Sequence, residues 1–147
     1  MGAFQNARWL ALAVAMLLAA GCTAVRPPAN PFTGLWNNGE KHQIAFRNDT
    51  VVMASADAPP TPLSADTCDG MFRFGYSREP RGSLIGLAVR QPDLQRKLAD
   101  QLHRPDYAVA EVTCGEGGTV YVMLGDHDVL AIHRDRDIIG IERLTRP

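Results

Sequence analysis

From residue 42 onward, apolar and polar positions alternate with period two through most of the chain, the pattern of strands with one buried face. His42 to Arg47 (HQIAFR) sets Ile44 and Phe46 on one side, and Thr50 to Ser55 (TVVMAS) follows after the turn pair Asn48-Asp49. Ala58-Pro59-Pro60-Thr61-Pro62 is poor in the amide protons that a ladder needs and reads as a loop. Phe72, Phe74 and Tyr76 alternate with Met71, Arg73 and Gly75, which predicts a third strand. Ser83 to Arg90 (SLIGLAVR) is apolar on both sides and reads as a fourth, central strand. Between these two, Arg78-Glu79-Pro80-Arg81-Gly82 reads as a solvated, charged hairpin tip.

One stretch changes period. Gln91 to Arg104 (QPDLQRKLADQLHR) carries Leu94, Leu98 and Leu102 at four-residue spacing, which predicts an amphipathic helix with leucines on its core face. Pro92 suits the first turn, Asp93 the positive end, His103 and Arg104 the negative end, and Pro105 the stop. Asp93 is placed to pair with Lys97 at i,i+4. Four further strands are expected at Tyr107–Cys114, Thr119–Leu124, Val129–Arg134 and Ile138–Leu144, separated by hairpin-length gaps rich in Gly and Asp. The predicted fold is mainly β with one α-helix inserted mid-chain, about eight antiparallel strands forming a small barrel or a sandwich.

The N-terminus has another character. Residues 1–8 carry only positive charge, Trp9 to Ala20 (WLALAVAMLLAA) is apolar throughout, and Gly21-Cys22 leads into the polar, proline-rich TAVRPPANP. A cationic start, a short apolar core and small residues at the cut site describe a secretory signal peptide, the run being shorter than the roughly 20 residues of a spanning helix. Leu18-Ala19-Ala20-Gly21-Cys22 resembles the lipobox of bacterial lipoproteins, with Ala19 where leucine is common. The resemblance implies that the Cys22 thiol takes up diacylglycerol and that the signal is cut before it. Two or three acyl chains hold a protein stably at a membrane, since each buried CH₂ contributes ~0.8 kcal/mol. Thr23 stands where the inner-membrane retention rule of such lipoproteins has Asp, which points to the periplasmic face of the outer membrane. The expected organisation is a signal peptide over 1–21, the lipidated cysteine and a proline-stiffened tether over 22–34, and one periplasmic β-domain over 35–147.

An exported compartment oxidises thiols, and with Cys22 lipidated the other two cysteines, Cys68 and Cys114, form the single possible disulfide. The 147 residues are 46% hydrophobic and 21% charged, too apolar for a disordered chain. A net charge of −1 with scattered arginines gives no nucleic-acid footprint. Gly34-Leu35-Trp36 resembles the Gly-x-Trp that opens lipocalins, avidins and several small periplasmic inhibitor barrels. That likeness implies a Trp closing the barrel base beneath an Arg from a late strand, with Arg143 the candidate.

Asp126-His127-Asp128, with His133 and Asp135 nearby, gathers side chains that bind metals, yet it also reads as a polar hairpin loop, and His133 shares a strand face with Val129 and Ala131. His42 and His103 have no nucleophile beside them in sequence, and Ser55, Ser64, Ser77 and Ser83 lack an activating context. No catalytic residue, metal site or cofactor is therefore expected. The expected function is that of a lipid-anchored, non-catalytic binding or assembly module with a membrane contact through its lipid and an envelope protein partner. The alternative is a periplasmic inhibitor or small-ligand-binding barrel. The anchor is testable directly: mass spectrometry of the purified native protein should find an acylated Cys22 as first residue, and Cys22→Ala should leave the chain uncut or release it from membranes. An unmodified first residue, or a variant that is still cut and still fractionates with membranes, contradicts the lipobox.

Overall fold

The computed structural model describes residues 29–39 and 41–147; the expected signal peptide, Cys22 and the first part of the tether lie outside the described residues. Nine strands form it: β1 (Gly34–Asn37), β2 (His42–Arg47), β3 (Thr50–Ser55), β4 (Ala58–Pro62), β5 (Phe72–Pro80), β6 (Asp106–Cys114), β7 (Gly117–Gly125), β8 (Asp128–Arg134) and β9 (Ile138–Thr145). Two helices, α1 (Arg81–Gly86) and α2 (Pro92–Gln101), sit between β5 and β6. All strands belong to one antiparallel sheet in the order β4-β3-β2-β1-β9-β8-β7-β6-β5. It curls into a half-barrel whose edges, free among the described residues, are β4 and β5.

The curl follows from which residues point inward. Phe46 of β2 meets Phe74 of β5 at 5.9 Å between ring centres and Tyr121 of β7 edge-on at 5.2 Å, so strands distant in the sheet face one another across a filled interior. Phe32, Trp36, Ile44, Val51, Ala110, Val129, Ala131 and Leu144 complete this inner core. The alternate residues of β6 to β9 point the other way. Val109, Val120, Val122, Leu130 and Ile132 pack against Leu84 and Ala88 of the α1 region and Leu98 and Leu102 of the α2 region. Fully burying such a side chain contributes ~1.5–3 kcal/mol, so helices are needed wherever the outer face is apolar.

The predicted mainly antiparallel β architecture with a mid-chain helix is thus observed, with differences that have identifiable causes. Ser83–Arg90 is not a strand: Arg81–Gly86 is helical and Leu87–Arg90 continues as turns, with Leu84 and Ala88 buried. A short run that is apolar on both sides suits a buried helix as well as a central strand, and periodicity alone does not separate them. Residues 78–82 form no hairpin tip, because Arg78–Pro80 end β5 and Arg81 opens α1. Ala58–Pro62 does pair, as the edge strand β4, matching Val52 with Pro62 and Met53 with Thr61. An edge strand tolerates proline because only one of its sides is laddered.

Gly34-Leu35-Trp36 is itself β1 rather than a lead-in to the first strand, and the chain is already packed before it, with Phe32 buried although it falls within the expected tether. In α2, Asp93 pairs with Arg96 at i,i+3 rather than with Lys97. The helix ends at Gln101, short of His103 and Arg104, where the Arg81 guanidinium donates to the Ala99 carbonyl at 3.1 Å and to that of Leu102.

The disulfide joins Cys68, in the β4–β5 connection, to Cys114 at the end of β6, across a sequence separation of 46. Closing a loop of that length contributes ~4 kcal/mol on the chain-entropy account.

Trp36 explains its own motif. It is fully buried, donates from Nε1 to the Phe32 carbonyl at 2.8 Å, and lies under the guanidinium of Arg146, 4.3 Å from the ring centre. Arg146 also donates to the carbonyls of Pro31, Thr33 and Asp126. Gly34 has φ +119°, which favours glycine, and a Cβ there would stand 2.9 Å from Arg146 Nη1 and push the guanidinium aside. Arg143, the candidate from sequence, instead donates to Gln101 Oε1 at 3.1 Å.

Candidate functional site

The inner faces of β2, β8 and β9 are apolar along most of their length and turn polar at one rim of the half-barrel. Period two places His42 in line with Ile44 and Phe46, His133 in line with Val129 and Ala131, and Glu142 in line with Leu144. Curling the sheet brings these three polar residues together. His42 Nδ1 and His133 Nε2 both meet the same carboxylate oxygen, Glu142 Oε1, the second at 2.7 Å. Thr119 of β7 stands 3.0 Å from His133 Nδ1 through Oγ1, and the Asn38 amide donates to Glu142 Oε2. The side chains of His42, His133 and Glu142 are 17%, 26% and 24% exposed, half-buried with an outlet to water.

The electrostatics follow from this geometry. Burial alone would raise the Glu142 carboxyl, but the hydrogen bonds and charge of His42 and His133 outweigh it and hold the carboxyl below its ordinary value. Burial drives the Tyr121 phenol far above its ordinary range; nearby Thr119 offsets this slightly and Glu142 adds to it, so the hydroxyl stays protonated. Among the described residues, His42 Nε2 and the Tyr121 hydroxyl are buried without hydrogen-bond partners.

Glu142 is paired with Ala131 of β8, but on its β1 side the sheet lacks a ladder. Strands β1 and β9 share one matched pair, Asn37 with Thr145. Beyond it the β1–β2 hairpin turns, and Asn38 and His42 reach Glu142 through side chains instead. The cluster therefore joins the β1–β4 part of the sheet to the β5–β9 part.

Two chemistries suit such a cluster. Thr119, His133 and Glu142 stand in the order hydroxyl, imidazole, carboxylate, which resembles a nucleophilic triad. Thr119, however, lies in a central strand matched on both sides, to Val112 and to His133, so its own backbone is engaged in the ladders. The other chemistry is coordination: the two imidazole nitrogens and the carboxylate oxygen lie within 4.8 Å of one another.

The sequence-based metal candidates are not brought together. Asp126 and His127 form the β7–β8 turn and Asp128 opens β8, at the opposite end of that strand from His133, and Asp135 lies in the β8–β9 turn. His103 follows α2 and lines a separate hollow with Arg104 and Arg143. A surface hollow of about 730 Å³ lies on the outer face, where Arg73, Glu111, Arg134 and Arg136 mix both signs of charge. The signal that would have found the cluster was present: His42, His133 and Glu142 are the polar residues at inward positions of otherwise apolar strand faces.

Comparison with family models, with curated proteins and with solved structures gave no match.

The lowered Glu142 carboxyl has a consequence for stability. A carboxyl held lower in the folded than in the unfolded chain contributes stability above its unfolded value and loses it as pH falls through the folded one. Melting temperature in chelator-containing buffer should therefore fall more steeply below about pH 4.5 in the wild type than in Glu142→Gln. Parallel pH profiles for the two proteins would contradict the assignment.

Proposed function

We propose that the chain is a lipid-anchored envelope lipoprotein, tethered through Cys22 at the periplasmic face of the outer membrane. Its β-domain acts as a non-catalytic binding or assembly module that docks an extended segment of an envelope protein. The observation carrying the docking mode is the difference between the two free edges of the sheet. β4 has five residues, three of them prolines (Pro59, Pro60, Pro62), and so has few amides to offer a visiting strand. β5 runs for nine residues with a single proline at its end, and among the described residues its ladder partners are in β6 alone. Nine residues present roughly 30 Å of free backbone donors and acceptors, enough for strand addition.

Arg73, Gly75 and Ser77 are exposed on β5, whereas Phe72 and Phe74 turn inward and hold the strand to the core. The edge is therefore firm as well as open, which lowers the ordering cost of docking. Lipid anchoring would raise the local concentration of the module beside membrane partners. The interior, filled by Phe32, Trp36, Phe46 and Tyr121, weighs against the small-ligand alternative.

Photo-crosslinking in intact cells tests this reading. A crosslinker at Ser77 in β5 should give one dominant adduct with an envelope protein, while the same group at Thr61 in β4 should give none above background. Equal labelling from both edges, or no adduct from Ser77, contradicts docking on β5.

A further inference from the structure

We infer that His42, His133 and Glu142 form a binding site for a zinc-class divalent cation, seated at the rim of the half-barrel between β2, β8 and β9. The inference does not depend on the anchoring or docking reading. Its first support is convergence. Two imidazole nitrogens from strands on opposite sides of the β1–β9 seam are aimed at one oxygen of one carboxylate, and the three donor atoms lie within 4.8 Å. A tetrahedral ion with bonds of about 2.0–2.1 Å needs donors about 3.3 Å apart. The His133–Glu142 pair, now at 2.7 Å, would open by about 0.6 Å, within reach of small side-chain rotations.

The second support is the surrounding shell. An imidazole that binds metal through one nitrogen needs an acceptor for the proton on the other, and the Thr119 hydroxyl stands at 3.0 Å from His133 Nδ1 to take it. Because a hydroxyl both donates and accepts, Thr119 serves either tautomer of His133. Asn38 already holds Glu142 Oε2, leaving Oε1 to the ion. Among the described residues His42 Nε2 has no such acceptor, so this support applies to His133 and not to His42.

The donor set selects the class of ion. Two nitrogens and one oxygen suit zinc and its transition-metal neighbours, whereas calcium and magnesium require oxygen ligands in greater number. Three protein ligands leave one tetrahedral position for water, and the half-buried rim admits both ion and water. A bound ion would bridge the sheet where the β1–β9 ladder is a single pair.

The test uses the full-length chain purified in mild detergent, stripped with chelator and titrated with Zn²⁺ by calorimetry and by NMR of the imidazole resonances. The chain has four histidines, which gives internal controls. One equivalent of Zn²⁺ should bind, shifting the resonances of His42 and His133 and leaving those of His103 and His127 in place. Affinity should fall about tenfold or more in His133→Ala and in Glu142→Gln, and stay unchanged in the double variant His103→Ala/His127→Ala. No binding, shifts at His103 or His127 instead, or wild-type affinity in folded Glu142→Gln would overturn the site. If a site variant fails to fold, the wild-type resonances still decide.

Discussion

Backbone hydrogen bonding carries this sheet from β4 to β1 and from β9 to β5, but the two parts meet through a single matched pair, Asn37 with Thr145. What holds them in register is side-chain chemistry on β9 and just beyond it. Glu142 takes His42 and Asn38 from the N-terminal part and His133 from its own part, while Arg146 covers Trp36 and donates to the carbonyls of Pro31 and Thr33. Between these clamps lies the inner core, where Phe46 meets Tyr121 edge-on. The rest of the architecture presupposes this seam. Without it β1–β4 is a four-stranded meander with its apolar face open.

The remaining elements divide the work of covering surface. α1 and α2 cover the outer face of β6 to β9, and Gln91 pins the start of α2 by exchanging two hydrogen bonds with the Ile138 backbone of β9. The disulfide fixes the β4–β5 connection to the end of β6, close to where the sheet fails to close. One edge is blunted by prolines, and the other, β5, has ladder partners only in β6 among the described residues. A fold built this way keeps its half-buried polar cluster and its open strand on well-packed β elements, where geometry is held by the core rather than by loops.

Much of this was legible along the chain, and the parts that were not share a cause. The strands from Tyr107 to Leu144 were readable because Gly and Asp turns punctuate a clean alternation, and Asn48-Asp49 marked the β2–β3 hairpin correctly. Ser83–Arg90 misled because its apolar residues fill both sides, so its period carries no information. Ala58–Pro62 misled because whether proline is tolerated depends on being at an edge, a property of the whole sheet. The cluster was half visible. His133 lies on a strand whose alternation faces the core, but its partners, His42 and Glu142, are 100 residues apart in sequence and meet only because the sheet curls. Arg143 lies on β9, three positions before the arginine that covers Trp36: a candidate drawn from a motif fixed the type of residue, and the end of β9 fixed which one.

A clamp made of side chains should open before the ladders do. Native-state hydrogen exchange in chelated buffer, comparing the wild type with Glu142→Gln, measures this most directly. The account predicts that amides of β1 to β3 lose protection together, by about tenfold, while those of β6 to β8 keep theirs. Equal loss over both parts of the sheet, or no loss in β1 to β3, would contradict the claim that Glu142 holds the seam.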